Sequence, residues 1–132
     1  MVSLEEAAAI ALGLPEVAEV ERYGHRSWAI GKKVFAWERP FSKADIRRFG
    51  DTTPPDEPIL AVRVDDLAEK EAVLSNGTKG VFTIPHFDGY PAVLIELKSV
   101  GKRALREAIV DAWLACAPQK MADSYVEQER RR

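Results

Sequence analysis

Two short runs of aromatic and β-branched residues flank a glycine-containing turn in the first third of the chain. Together they form RSWAIGKKVFAW at positions 26–37, with Gly31 in the turn. This pattern predicts a β-hairpin, because glycine readily adopts the backbone conformation that a tight turn requires. A hairpin commits the chain to an antiparallel sheet, and such a sheet must bury at least one face against other elements.

Three further runs predict strands, and three amphipathic segments predict helices. The strands are ILAVRV at 59–64, GVFTIP at 80–85 and AVLIEL at 92–97. The helices cover about residues 4–12, 67–75 and 102–117, and the predicted N-caps of the first two are Ser3 and Asp66. The expected fold class is α+β: a two-layer sandwich with an antiparallel sheet of about five strands and the N- and C-terminal helices packed on one face.

The remaining segments lack a clear strand or helix pattern. Residues 15–21, PEVAEVE, are interpreted as an acidic connector. Four prolines interrupt residues 38–58, where Ser42 is a candidate cap for one short helix that ends near Arg48. The tail, residues 119–132, is expected to form one helical turn at 122–127 and to be frayed at its end. The length of 132 residues and the hydrophobic content of 46% predict a single domain over 1–132.

Composition excludes several classes of protein. The net charge of −2 provides no overall positive field for nucleic acid or anionic lipid, so such binding needs a local patch. No apolar run approaches the roughly 20 residues that span a bilayer, and no signal peptide is evident, so we expect a cytoplasmic protein without a membrane partner. The single cysteine, Cys116, lies on the apolar face of the last helix and is expected to be buried rather than reactive.

The sequence PHFDGY at 85–90 separates two predicted strands and carries a dense group of candidate site residues. His86 and Asp88 could orient an imidazole or ligate a metal, but a metal usually needs three or four ligands, and the other histidine, His25, is remote in the sequence. The favoured interpretation is a turn in which Gly89 supplies a positive φ, and contact with a ligand stays open. No metal site, cofactor or catalytic residue is predicted, and no enzyme is expected.

Charge is strongly segregated along the chain. Between Arg22 and Arg48, eight basic residues stand against two acidic ones, whereas the segments on both sides are acidic. Four aromatic residues are interleaved with the basic ones: Tyr23, Trp28, Trp37 and Phe41. Such a hairpin can meet a phosphate backbone with cations and aromatic rings. The alternative is that the cations pair with the acidic flanks and that part of the aromatic set lines the core.

Four separated segments resemble the MmcQ/YjbR family, in the same order. They are LPEVAEVERYGHRSWAIGKKVFAW, ILAVRVDDLAEKEAVL, VFTIPHFDGYPAVLIEL and LREAIVDAWLACAP, which cover most of the chain. The resemblance implies a frataxin-like (CyaY-like) α+β fold and a double-wing arrangement of hairpins, for which these proteins are labelled as DNA-binding. Residues 38–58 are an insertion relative to shorter members, and the first helix lacks the acidic ridge that an iron site needs.

The resemblance also marks particular residues. It identifies Gly31 and Lys32 as a hairpin turn, and it assigns no catalytic residue. The signature corner of the family corresponds to His86, Asp88, Gly89, Tyr90 and Pro91.

Two functions follow from these patterns and from the resemblance. The first is weak, sequence-tolerant DNA binding by a non-enzymatic domain, through the basic hairpin and the insertion. Its candidate phosphate contacts are Arg26, Lys32, Lys33, Arg39, Lys43, Arg47 and Arg48. The alternative is a module for a small ligand or a protein partner, without a nucleic-acid role, whose site is the 85–91 corner. Its candidate residues are His86, Asp88, Tyr90, Trp28 and Trp37.

Overall fold

The chain folds as a six-stranded antiparallel sheet with helices on both faces. The computed structural model describes residues 2–132. The helices are α1 (Leu4–Leu12), α2 (Lys43–Phe49), α3 (Leu67–Ser75), α4 (Lys102–Cys116) and α5 (Gln119–Arg130). The strands are β1 (Val17–Arg22), β2 (His25–Ile30), β3 (Lys33–Glu38), β4 (Ile59–Arg63), β5 (Val81–Phe82) and β6 (Ala92–Glu96), and a 3-10 turn covers Pro85–Phe87. None of the helices in this described range is long and apolar enough to cross a membrane.

The strands are hydrogen-bonded in the order β1-β2-β3-β4-β6-β5, and all neighbouring pairs are antiparallel. The predicted α+β class is confirmed, but the sheet has six strands rather than about five. The additional strand is β1, which lies in the segment that we interpreted as a connector. Five of its six residues are exposed, so it lacks the apolar alternation that predicts a strand and joins the sheet by backbone pairing with β2.

The predicted hairpin is formed by β2 and β3. Gly31 in its turn has a φ of 61°, in the left-handed region that glycine tolerates. The pairing register shifts between Trp28 and Ala29, which leaves Phe35 without a partner on β2. Phe35 and Ala36 are consequently both buried in the same core, and Trp37 lies on the opposite face.

The larger core lies between one face of the sheet and helices α1 and α4, so the N- and C-terminal helices pack on the same face as predicted. Trp28 from β2 and Trp113 from α4 are completely buried there. Large aromatic side chains of this kind contribute most to the apolar area that a core buries.

The opposite face of the sheet is also covered, which adds a partial third layer to the predicted two. A smaller core forms between the strands, the 3-10 turn and α2. Its buried members are Ile59, Ala61, Ile84, Phe87, Ala92 and Leu94. Because both faces are buried, β4 and β6 each carry four consecutive buried residues and have the sequence of central strands.

Local sequence signals determine where the helices begin. The Ser3 hydroxyl accepts a hydrogen bond from the backbone N–H of Glu6 at 3.1 Å, and the Glu6 carboxylate accepts one from the Ser3 N–H at 3.2 Å. This capping box is repeated by Ser42 and Asp45 at α2, and Asp66 caps α3. All three N-caps agree with the sequence prediction.

The tail forms a helix of twelve residues, α5, and is not limited to the predicted turn. Tyr125 packs on Trp113 of α4 with ring centroids 5.1 Å apart, and Ala122 is buried. The tail sequence is mostly polar, and a helix of this length is marginal alone, so its stability depends on docking against α4.

Candidate functional site

A groove of about 1010 Å³ runs along the β2–β3 hairpin, mostly on the sheet face opposite α1. The start of the insertion, at residues 39–42, forms one wall, and the corner that follows β5 forms the other. The β1–β2 turn lies at one end, and the β2–β3 turn lies at the other, beside the end of α4. The groove is thus about as long as a six-residue strand, roughly 20 Å.

Three aromatic rings line the middle of the groove. Trp37 and Phe87 are stacked, with ring centroids 6.3 Å apart and an interplanar angle of 25°. Tyr90 meets both rings edge-on, at 6.3 Å from Trp37 and 5.6 Å from Phe87. Phe87 is buried, whereas Tyr90 is 39% exposed, so the Tyr90 ring is accessible to a ligand.

A buried lysine from α3 holds the corner in place. Lys70 is 7% exposed, and its ammonium donates to the carbonyl oxygens of Phe87 at 2.6 Å and of Tyr90 at 2.8 Å. Burial lowers the pKa of Lys70, and the charge of Asp88 opposes that shift. Asp88 itself is exposed beside this lysine and does not line the groove. Nothing in the local sequence distinguishes Lys70 from a surface lysine, because its burial arises from the docking of α3.

Cations lie at both ends of the groove. Arg22 and Arg39 lie toward the β1–β2 turn, and Lys32, Lys33 and Arg63 lie toward the β2–β3 turn. Among the residues that the structure describes, Glu38 is the single carboxylate in the lining. The two lysines are exposed and form no ion pair within residues 2–132. Their charges are therefore available to an anionic ligand.

Arg39 both lines the groove and anchors the insertion. Its guanidinium donates to Asp45 at 3.0 Å and to the Pro40 carbonyl, and it lies 5.6 Å from the centroid of the Phe87 ring. Burial acts to raise the pKa of Asp45, but hydrogen bonds from Ser42 and Arg39 outweigh it, and the pKa is lowered. Since Asp45 compensates its charge, Arg39 is less available to phosphate than the two lysines.

Two of the predicted site residues, Arg26 and Trp28, lie away from the groove. Arg26 pairs with Glu19 at 2.8 Å and also with Glu5, as expected if the basic segment pairs with its acidic flanks. Trp28 is completely buried, and its indole N–H donates to Glu19 at 3.1 Å. Trp28 therefore belongs to the core and presents no surface to a ligand, which corrects its place among the ligand-binding candidates.

The cations of α2 also lie outside the groove. Lys43, Arg47 and Arg48 are exposed on this helix and contribute nothing to the groove lining. Arg48 also approaches Asp45 at 3.7 Å. These three residues are not placed to act together with the hairpin lysines on one ligand inside the groove.

The groove unites two sets of residues that were predicted for different functions. From the phosphate-contact set it contains Lys32, Lys33 and Arg39, and from the ligand set it contains His86, Tyr90 and Trp37. The sets meet because β3 pairs with β4, and β4 with β6, which brings the corner beside the hairpin.

Arg63, which the sequence analysis did not single out, lies in the groove at the end of β4. Its Nη1 donates to the Tyr90 hydroxyl at 3.3 Å, and its guanidinium carbon lies 5.3 Å from the centroid of that ring. Its Nε is buried and has no hydrogen-bond acceptor in the described chain. A sequence signal existed, since Arg63 is the only charged residue in the apolar run ILAVRV.

The side chains of residues 2–132 offer neither a group of metal ligands nor a reactive thiol. Across residues 2–132, no three His, Cys, Asp or Glu side chains lie together in a way that could hold a metal ion. Cys116 borders the groove but is largely buried, and burial raises the pKa of its thiol, although the charges of Arg63 and Lys33 oppose this. A thiol with a raised pKa is a poor nucleophile at neutral pH.

The chain is similar to known proteins over most of its length. The model of the YjbR family matches residues 12–115, a range that includes the insertion, the corner and nearly all of the groove. Two uncharacterised proteins, one from Mycobacterium bovis and one from Mycobacterium tuberculosis, are each 40% identical to it over 129 residues, which is 96% of this chain and 97% of theirs. No solved structure gives a significant match, so the frataxin-like comparison is not confirmed.

Proposed function

The chain belongs to the MmcQ/YjbR family, and we propose that it is a non-enzymatic domain that binds single-stranded DNA through the groove along the β2–β3 hairpin. DNA binding is also what the family resemblance led us to expect. The observation that carries the proposal is the joint presence of uncompensated cations and accessible aromatic rings on one concave surface. Basic grooves with aromatic side chains are typical of proteins that bind single strands without sequence preference.

The order of charges and rings suits a strand that runs along the hairpin. Lys32 and Lys33 at one end and Arg22 at the other are placed to contact phosphates. Trp37 and Tyr90 lie between them and offer rings to bases, and each stacked base contributes about 1–3 kcal/mol. A groove of roughly 20 Å suits about four nucleotides, at the lower end of known site sizes.

A duplex suits this surface less well than a single strand. The rings lie between two walls of the groove, and bases that are paired and stacked in a duplex cannot reach them. The overall charge of −2 also means that the surface outside the groove does not attract a rigid polyanion. We therefore expect moderate affinity that depends strongly on salt.

The absence of catalysis is part of the proposal. Hydrolysis by a side-chain nucleophile needs that nucleophile, a base and an orienting group in mutual contact. Within residues 2–132, neither groove histidine, His25 or His86, forms a hydrogen bond with a serine or cysteine side chain. The single buried cysteine suits a reducing compartment, and we place the protein in the cytoplasm.

Fluorescence anisotropy with a short labelled single strand tests the proposal. Binding is measured at about 50 and 200 mM salt, where phosphate-driven affinity falls steeply. The wild-type protein is expected to bind saturably and more weakly at the higher salt. The double variant Lys32→Ala/Lys33→Ala should reduce the slope of log affinity against log salt by about 1.4, since each contact with a single strand contributes about 0.7.

The matched control is Lys43→Ala/Arg47→Ala, which removes the same charge from α2, outside the groove. This variant is expected to bind like the wild type. Equal weakening by the two double variants would mean that binding follows net charge and not the groove. Lack of binding by the wild-type protein at the lower salt would contradict the proposal itself.

The concave shape of the groove also favours a second candidate, a small anionic ligand with an aromatic ring and no nucleic-acid role. The volume of about 1010 Å³ is at the upper end of small-ligand pockets. An NMR titration with mononucleotides and other anionic metabolites distinguishes the two. Shifts confined to Trp37, His86 and Tyr90, in a protein that binds no DNA, would favour this candidate.

A further inference from the structure

One cation in the groove is partly buried and has no counter-ion. Arg63 is the last residue of β4, whose four preceding residues are all buried. Alternation along the strand places Arg63 on the same face as Ala61, which belongs to the core beneath the groove. A ligand must therefore enter the groove to reach this guanidinium.

Arg63 differs from Arg26 and Arg39 in its partners. Arg26 pairs with Glu19 and Arg39 with Asp45, whereas no carboxylate within residues 2–132 forms an ion pair with Arg63. Its Nε is buried without an acceptor. A buried charged donor without an acceptor is unfavourable, and an anion bound by the terminal N–H groups of the guanidinium would compensate the charge of Arg63.

The Tyr90 hydroxyl adds a second donor at the same point. It accepts the hydrogen bond from Arg63 Nη1 at 3.3 Å, so its own proton is available to another acceptor. The Tyr90 ring also lies against the guanidinium, at 5.3 Å from centroid to carbon, which restricts the plane of that group.

Lys33 adds a second positive charge at this end of the groove. Lys33, Arg63 and Cys116 all line the groove, and both cations lie toward its β2–β3 end. Asp65 acts to raise the pKa of the Cys116 thiol, but it does not line the groove. This end of the groove therefore suits a group with more than one negative charge.

We propose that Arg63 and Tyr90 bind a terminal phosphate monoester, so that the groove holds the phosphorylated end of a single strand. The proposal rests on the proposed function and specifies the ligand of the same site. A guanidinium offers adjacent N–H groups that match two oxygens of a phosphate. A terminal monoester carries nearly two negative charges and three unesterified oxygens, whereas an internal phosphodiester carries one charge, so the monoester matches Arg63 and Lys33 better.

The test compares three strands of one sequence with an internal label: one with a 5′-phosphate, one with a 3′-phosphate, and one with hydroxyls at both ends. The wild-type protein is expected to bind one phosphorylated strand about tenfold more tightly than the hydroxyl strand, as one additional charge-assisted contact implies. Arg63→Lys keeps the charge but loses the paired donors, and should lose most of this preference. Tyr90→Phe keeps the ring and should lose part of it. Lys43→Ala is the control and should retain it.

The outcomes separate this proposal from the previous one. Equal binding of all three strands by the wild-type protein would overturn the phosphate assignment and leave the proposed function standing. If none of the strands binds, both proposals are overturned. A mononucleotide that competes as well as the phosphorylated strand would overturn the assignment to a strand end. Thermal unfolding shows whether each variant is folded. Where a variant is not folded, the comparison of the three strands with the wild-type protein still tests the phosphate assignment.

Discussion

Replacement of Lys70 by methionine is expected to destabilise the fold and to loosen the corner. Methionine keeps much of the length and apolar character of lysine but removes the ammonium, which donates to the Phe87 and Tyr90 carbonyl oxygens at 2.6 and 2.8 Å. A hydrogen bond to a charged group contributes about 1.5–3 kcal/mol, so the two together contribute about 3–6 kcal/mol before any offset.

Two features of the structure reduce this figure. Each carbonyl keeps a backbone donor, since Phe87 also accepts from the Tyr90 N–H at 3.0 Å, and Tyr90 from the Ala92 N–H at 2.8 Å. Burial of the Lys70 ammonium also has a cost, seen in its lowered pKa, and methionine removes that cost. We expect a net loss of about 2 kcal/mol in the free energy of unfolding, or a Tm lower by about 6–10 °C.

Thermal and urea unfolding of the wild-type protein, Lys70→Met and Lys79→Met measure this loss. Lys79 is exposed, so its replacement should change stability by less than about 0.5 kcal/mol. Hydrogen exchange at the Tyr90 amide should accelerate beyond what the global loss explains, because the corner opens locally. A Lys70→Met protein as stable as the wild type would refute the reasoning, since desolvation would then cancel the two carbonyl bonds.

Three further changes test other parts of the structure. Asp45→Asn should lower the free energy of unfolding by about 3 kcal/mol at neutral pH, because it leaves Arg39 without its carboxylate. The pKa of Asp45 in the folded protein lies below its ordinary value of 3.8, so the stability difference between wild type and variant should shrink as pH falls through that folded pKa. Urea unfolding at several pH values measures this difference. Gly80→Ala should lower Tm clearly, since φ at this position is +89° and the new Cβ would lie 2.9 Å from a backbone nitrogen. Gly77→Ala is the control: φ is +67° but the space around the new Cβ is open, so Tm should fall by less. Tyr125→Ala should cost about 2 kcal/mol in urea unfolding, and no effect would mean that α5 does not dock.

Signals that act over a few residues allowed much of the fold to be predicted from the sequence. Ser3 and Ser42 each accept a hydrogen bond from a backbone N–H three residues further along the chain, so a capping serine was enough to predict where α1 and α2 begin. Gly31 predicted the hairpin turn because glycine tolerates the positive φ that the turn requires. In each case the physical cause lies within one helical turn or one β-turn.

Elements that depend on distant parts of the chain could not be predicted in this way. β1 is exposed along most of its length and exists as a strand because β2 supplies its hydrogen bonds. α5 is mostly polar and is held by contacts such as that of Tyr125 with Trp113. Their own sequences carry little of the information that fixes their structure.

The groove illustrates the same limit for the candidate site. The sequence identified Lys32 and Lys33 as cations and Tyr90 as a corner residue, but the strand pairing that joins them is a property of the whole sheet. Arg63 is visible in the sequence as a charge in an apolar run, yet its lack of a counter-ion becomes apparent only when every neighbouring carboxylate has been placed.

The two edges of the sheet also bear on how the protein behaves at high concentration. An uncovered edge with unpaired backbone groups is a template on which a second chain can add a strand and begin an aggregate. One edge here, β1, carries Glu19 and Glu21, and the other, β5, has only two residues. Neither offers a long uncharged template, so we expect little edge-to-edge strand addition between copies in a crowded solution.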